Sequence, residues 1–124
     1  MKTELNEIEV NGVKYVKKGS EQVSLAQSTD GLPYVCIRTY SAGVHIGFLK
    51  SREGTDVVLI NSRRVHYWDG AASLSQLALE GVKKPENCRI SVIIPEITLT
   101  ESVEVIPITD AAKNNLDSVP VWRV

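Results

Sequence analysis

Cysteine is scarce in this chain of 124 residues, with Cys36 and Cys88 the only two. They lie far apart and form no C-x-x-C pair, so a disulfide framework and a zinc ribbon are excluded. In a cytosolic setting they read as buried thiols. An excess of charge of one sign is missing too. Fourteen Lys and Arg stand against fifteen Asp and Glu, a net charge of −1, which argues against coating nucleic acid by bulk charge. No apolar run approaches the roughly 20 residues of a membrane helix. The opening MKTELNEIEV is acidic and polar, unlike a secretory signal. Hydrophobic residues at 43% and charged residues at 23% are ordinary globular usage, so neither disorder nor a fibrous repeat is expected.

What is present is mostly β patterning. Glu7–Val10 and Val13–Val16 alternate around Asn11-Gly12, a dipeptide suited to a two-residue hairpin turn. A polar stretch from Lys17 to Gly31 follows and reads as a linker or long loop. Residues 1–32 are therefore assigned to a hairpin and linker, and 33–124 to one α+β domain. Tyr34–Tyr40, Val44–Leu49 and Asp56–Ile60 (extending to Trp68) predict three strands joined by short turns, an antiparallel meander. Ser73-Leu74-Ser75-Gln76 predicts a capped helix start and Gly81 its end. Cys88 to Ile94 reads as a strand stopped at Pro95, with further alternation at Ile97–Leu99 and Val103–Ile106. A second helix opens at Asp110, capped by Thr109 or Asp110 and anchored by Leu116. Pro120 then forces an extended tail, Val119–Val124. The fold class is α+β: an antiparallel sheet, two short helices and an extended C-terminal tail.

Catalytic signatures are missing. His45 and His66 flank no nucleophile-elbow pattern and read as ordinary strand histidines. No metal-ligand spacing and no glycine-rich phosphate loop occurs, so no metal or cofactor is expected. The informative cluster is Arg63-Arg64-Val65-His66-Tyr67-Trp68. Strict strand alternation places Arg63, Val65 and Tyr67 on one face and Arg64, His66 and Trp68 on the other. Guanidinium groups bind phosphate in pairs of hydrogen bonds, and flat rings stack on bases. Arg38 and Tyr40 repeat the arrangement before the turn Ser41-Ala42-Gly43, which could expose backbone amides to an anion. Trp122 and Arg123 add a ring and a cation from the tail. The same residues also fit a plainer description, surface arginines covering an aromatic core edge with Trp122 anchored in its own core.

Two longer stretches carry a resemblance: Arg38 through Gly47 and Arg63 through Ala78, with the ending Val119-Pro120-Val121-Trp122-Arg123-Val124. They resemble small bacteriophage proteins of the Thoeris anti-defence sponge family, over Pro33 to Val124. The resemblance implies a β-sheet core, two helices and a C-terminal loop in a homo-oligomer, a dimer or hexamer. It also implies sequestration, without turnover, of a cyclic ADP-ribose isomer made by a host TIR enzyme, in the cytoplasm of the infected bacterium. Some members hold cyclic oligonucleotides.

Chemistry, rather than transfer from that family, selects the candidate contacts. Arg38, Arg63, Arg64 and Arg123 are the candidates for phosphate. Tyr40, Tyr67, Trp68 and Trp122 are those for the base, and Ser41 and Gly43 are the neutral contacts. The expected partner is a cyclic nucleotide signal, with no membrane involved. The alternative is a phage accessory protein that holds single-stranded nucleic acid on the same arginines and rings, against which the near-neutral net charge counts.

Overall fold

The computed structural model describes residues 23–124, so the hairpin expected at Glu7–Val16 lies outside the described residues. Six strands and two helices follow: β1 Tyr34–Thr39, β2 Val44–Glu53, β3 Asp56–Tyr67, α1 Leu74–Glu80, β4 Arg89–Ile90, β5 Ile94–Leu99, β6 Ser102–Pro107 and α2 Asp110–Asp117. All strand pairs are antiparallel, in the order β4-β3-β2-β1-β6, with β5 paired to the first half of β3. The α+β meander expected from the sequence is what forms. No helix of the described residues is long and apolar enough to cross a membrane.

β1 is apolar on both faces because it is covered on both. Tyr34 and Cys36 join Ile46, Val65 and Ile90 beneath Leu77 and Ala78 of α1 and Ala112 and Leu116 of α2. That burial pushes the Cys36 thiol up to about 12. Val35 and Ile37 join Val57, Leu59 and Leu99 on the opposite face. Among the described residues no helix covers this second core; the sheet itself does. β2 and β3 run past the end of β1, and their ladder slips between Ile46 and Phe48 and again between Leu49 and Ser51. Such bulges bend a hairpin sharply, and Asn61 adopts a positive φ of 51° at the first of them. The bent hairpin folds back until Thr55, at its tip, accepts from Ser102 N at 3.0 Å. Tyr40 N in turn donates to Glu101 O at 3.0 Å, so the β5–β6 corner ties the hairpin tip to the end of β1. The second core is thus wrapped by a single curled sheet.

Both helices begin as their caps dictate. Ser73 Oγ accepts from Gln76 N at 3.2 Å and Thr109 Oγ1 from Ala112 N at 3.0 Å. Gln76 Oε1 reaches back to Ala72 N at 2.8 Å, one residue beyond the amide a reciprocal box would use. The strand expected over Cys88–Ile94 is a correction: only Arg89–Ile90 and then Ile94–Leu99 pair. Pro95 does not stop a strand but lies inside β5, where an edge strand has one side that needs no donor. From residue 23 onward the polar stretch read as linker packs on the domain. Ala26 is buried, donating to Ile108 O and accepting from Tyr34 N, both at 2.9 Å.

Candidate functional site

The site is set by one irregularity in β3. Val65 stands opposite Ile90, and both are buried on the helix side. The next ladder pair is Tyr67 with Arg89, so His66 is an extra residue on β3. Directly opposed residues share a face and consecutive strand residues do not. Arg89 therefore points away from the helices, and Tyr67 goes with it. Strict alternation is corrected here. Arg63, Val65 and Trp68 are on the helix side, whereas Arg64 and Tyr67 are on the outer side.

The tail completes this outer face. Val121 forms a parallel bridge with Ile90, and Trp122 N donates to Ile90 O at 2.9 Å. The indole of Trp122 meets the His66 ring with centroids 4.9 Å apart and planes tilted by 59°. The Arg89 guanidinium carbon is 5.7 Å from the indole centroid, within cation–π range. Trp122 is not anchored in the core; it is 48% exposed against its own sheet.

Arg64 borders the cluster from the turn side. Its guanidinium lies against Gly43, where a Cβ would stand 3.1 Å from Nη2. Gly43 also has φ of 84°, so a side chain there is disfavoured twice. Opposite Arg64 in the ladder is His45, buried, with Nε2 donating to Ala42 O at 2.9 Å. Burial lowers the His45 pKa, the bond to the Ala42 carbonyl opposes this, and the charges of Arg64 and His66 add to the lowering. A neutral imidazole thus underlies an exposed cation. Among the described residues, neither Arg64 nor Arg89 has a carboxylate within 4.0 Å.

The remaining candidates diverge. Arg38 opposes Val44, which opposes Val65, so it occupies the face away from Arg64, already bonded to Glu104 at 2.9 Å. Tyr40 projects into solvent at 84% exposure, and Ser41 Oγ is held by the Glu101 carboxylate. Arg63 is buried, donating to Ser91 O at 2.8 Å, Ile90 O at 3.3 Å and Leu116 O at 3.4 Å. Trp68 packs on the helix-side core with Nε1 on Ala71 O at 3.2 Å. Arg123 is exposed beside Trp122. The structure thus places Gly43, Arg64, Tyr67 and Trp122 on one face, and adds His66 and Arg89, which sequence reasoning did not select. Arg89 stands alone in a two-residue strand, and nothing local marks it. His66 stands in the informative cluster of the sequence but reads there as an ordinary strand histidine.

Residues 32–116 match a family described as a domain of unknown function, DUF6948. The chain belongs to that family. The match takes in every strand of the described residues and nearly all of α2 but stops short of the tail that carries Trp122 and Arg123. No curated protein and no solved structure matches the chain. Among the described residues no three His, Cys, Asp or Glu side chains gather as a metal site would require.

Proposed function

We propose that the protein binds a phosphorylated ligand bearing a flat ring, and releases it unchanged, on the face shared by Arg64, His66, Tyr67, Arg89 and Trp122. One observation carries the reading: two guanidinium groups without carboxylate partners among the described residues stand on the same face as a half-exposed indole. Phosphate takes the arginines and a base takes the ring. Binding without turnover is supported by the state of the two imidazoles. His45 spends Nε2 on a backbone carbonyl and His66 packs tilted against the Trp122 indole, and no described hydroxyl or thiol is hydrogen-bonded to either.

Within that class the resemblance to the Thoeris anti-defence sponges singles out cyclic ADP-ribose isomers, with cyclic oligonucleotides next. The place of action is then the cytoplasm of an infected bacterium. This face is open in one protomer, so tight sequestration requires a second copy to close it. The openness also favours a second reading, a groove for single-stranded nucleic acid, since a strand needs a track rather than a cage.

The test is calorimetric titration of the full chain with cyclic ADP-ribose isomers, cyclic dinucleotides and a short oligothymidylate, over a salt series. Expected is saturable binding of one cyclic nucleotide, with the ligand recovered intact after heating. Arg64→Ala and Arg89→Ala should each weaken it about tenfold or more, the loss of one charged hydrogen bond. An altered molecule on recovery would indicate an enzyme. Oligonucleotide binding with a steep salt slope would favour the second reading.

A further inference from the structure

On the opposite side of the sheet, a groove of about 360 Å³ runs between α2, the β2–β3 pair and the tail. Its floor holds Arg63, 5% exposed. A guanidinium has five N–H donors, and three of Arg63's go to carbonyls of Ser91, Ile90 and Leu116. Among the described residues none meets a carboxylate within 4.0 Å. Asp117, across the groove, has its Oδ2 2.7 Å from Lys113 Nζ. That ammonium also lies 5.0 Å from the Tyr34 ring centroid and 5.6 Å from that of Phe48. Two cations and one carboxylate leave the groove with one positive charge in excess, on a buried group that still has donors to give. A buried charge without a counter-ion is costly, and a bound anion would relieve it. The wall facing these groups is apolar: Ile93, Val119 and Val121 from the loop and tail, and the rings of Tyr34 and Phe48.

We propose that this groove binds a small aromatic monocarboxylate, its carboxylate on Arg63 and Lys113 and its ring against Phe48 and Val121. A single negative charge matches the excess, and two remaining guanidinium N–H groups match the two oxygens of a carboxylate. A phosphate dianion would overshoot the charge and leave the apolar wall bare. The volume falls in the range of small-molecule sites. This inference uses none of the residues of the nucleotide face and stands apart from it.

The experiment follows backbone amide shifts of the full chain during titration with phenylacetate, its neutral amide phenylacetamide, and inorganic phosphate. Expected is saturation with phenylacetate, shifts confined to residues around Phe48, Asn61, Lys113 and Val121, and affinity for the amide lower by about tenfold. Arg63→Ala is expected to disturb folding, so Lys113→Ala and Val121→Trp are the working variants. The first removes an exposed-side cation and should weaken phenylacetate about tenfold; the second fills the groove and should abolish binding. Lys113→Ala should leave nucleotide titrations unchanged, and Arg64→Ala should leave phenylacetate unchanged. The proposal is overturned if phenylacetate and its amide bind equally, if phosphate binds more tightly than phenylacetate, or if nothing saturates by about 10 mM, a free energy too small for a site.

Discussion

Arg63 and Arg64 are neighbours with the same side chain, and the pleat of β3 sends them to opposite sides of the sheet. Arg63 goes under α2, where three backbone carbonyls surround it and one of them, Leu116 O, belongs to the last turn of that helix. A cation there also meets the negative end of the helix dipole. Arg64 goes out beside Gly43 and has no such partners among the described residues. One arginine is therefore tied into the fold, and the other has no such tie.

Replacing each in turn should separate these roles, and this is the largest effect expected. Arg63→Ala strips donors from the carbonyls of Ser91, Ile90 and Leu116 and leaves a void under α2. Unsatisfied buried groups cost about 1–3 kcal/mol each and lost core volume adds to that, so a loss of about 3 kcal/mol or more is expected. Arg64→Ala should stay within about 0.5 kcal/mol, as exposed substitutions do. Urea unfolding of the two variants measures both. Equal losses would mean that Arg64 is structural as well, and its place in the nucleotide face would go.

Much of this architecture was legible in the sequence because local chemistry governs it. Thr109 and Ser73 announce helix starts wherever they precede an amphipathic run, and both cap as expected. The meander follows from β-branched runs broken by Gly43 and Gly54, both at positive φ. The site was only partly legible. A bulge adds one residue and reverses every side chain after it, and nothing in Val65-His66-Tyr67 signals that His66 is the extra one. The reversal moves Tyr67 to the outer face and Trp68 to the core. Arg89 could not be found by proximity in sequence, because it reaches Trp122 through a strand pair and a tail bridge. Pro95 misled for a related reason: whether a strand tolerates proline depends on its being at an edge, which is a property of the sheet.

His45 sharpens the comparison at intermediate magnitude. It opposes Arg64 in the ladder, and its pKa is lowered from the model-peptide value of 6.5, chiefly by burial. The folded protein therefore resists protonation that the unfolded chain accepts. Between the unfolded pKa and the lower folded one, U binds more protons than N, so stability falls as pH drops below about 6.5 and levels off beneath the folded value. Unfolding titrations between neutral and acid pH should show that fall, and His45→Gln should flatten it. Arg64→Ala removes a nearby positive charge and should raise the His45 pKa in a proton NMR titration. An unmoved His45 in that variant would place the guanidinium away from the imidazole.

Ser62 extends the series by one residue and gives the smallest effect. It is 1% exposed, on the face opposite Arg63, and its Oγ has no hydrogen-bond partner among the described residues. Gly47 packs against its backbone so closely that a Cβ there would stand 3.1 Å from Ser62 Cα. Side by side, then, a buried cation held by three carbonyls is followed outward by an exposed one and preceded by a bare hydroxyl. An unpaired buried hydroxyl costs about 1 kcal/mol or more, while deleting one oxygen leaves only a small void. Ser62→Ala should consequently leave stability unchanged or raise it by up to about 1 kcal/mol, read as a shift in the urea midpoint at constant slope. A loss of about 1 kcal/mol would mean that the hydroxyl is satisfied by a group outside the described residues, and that the interior of the curled sheet is less dry than Val35, Ile37 and Leu59 make it.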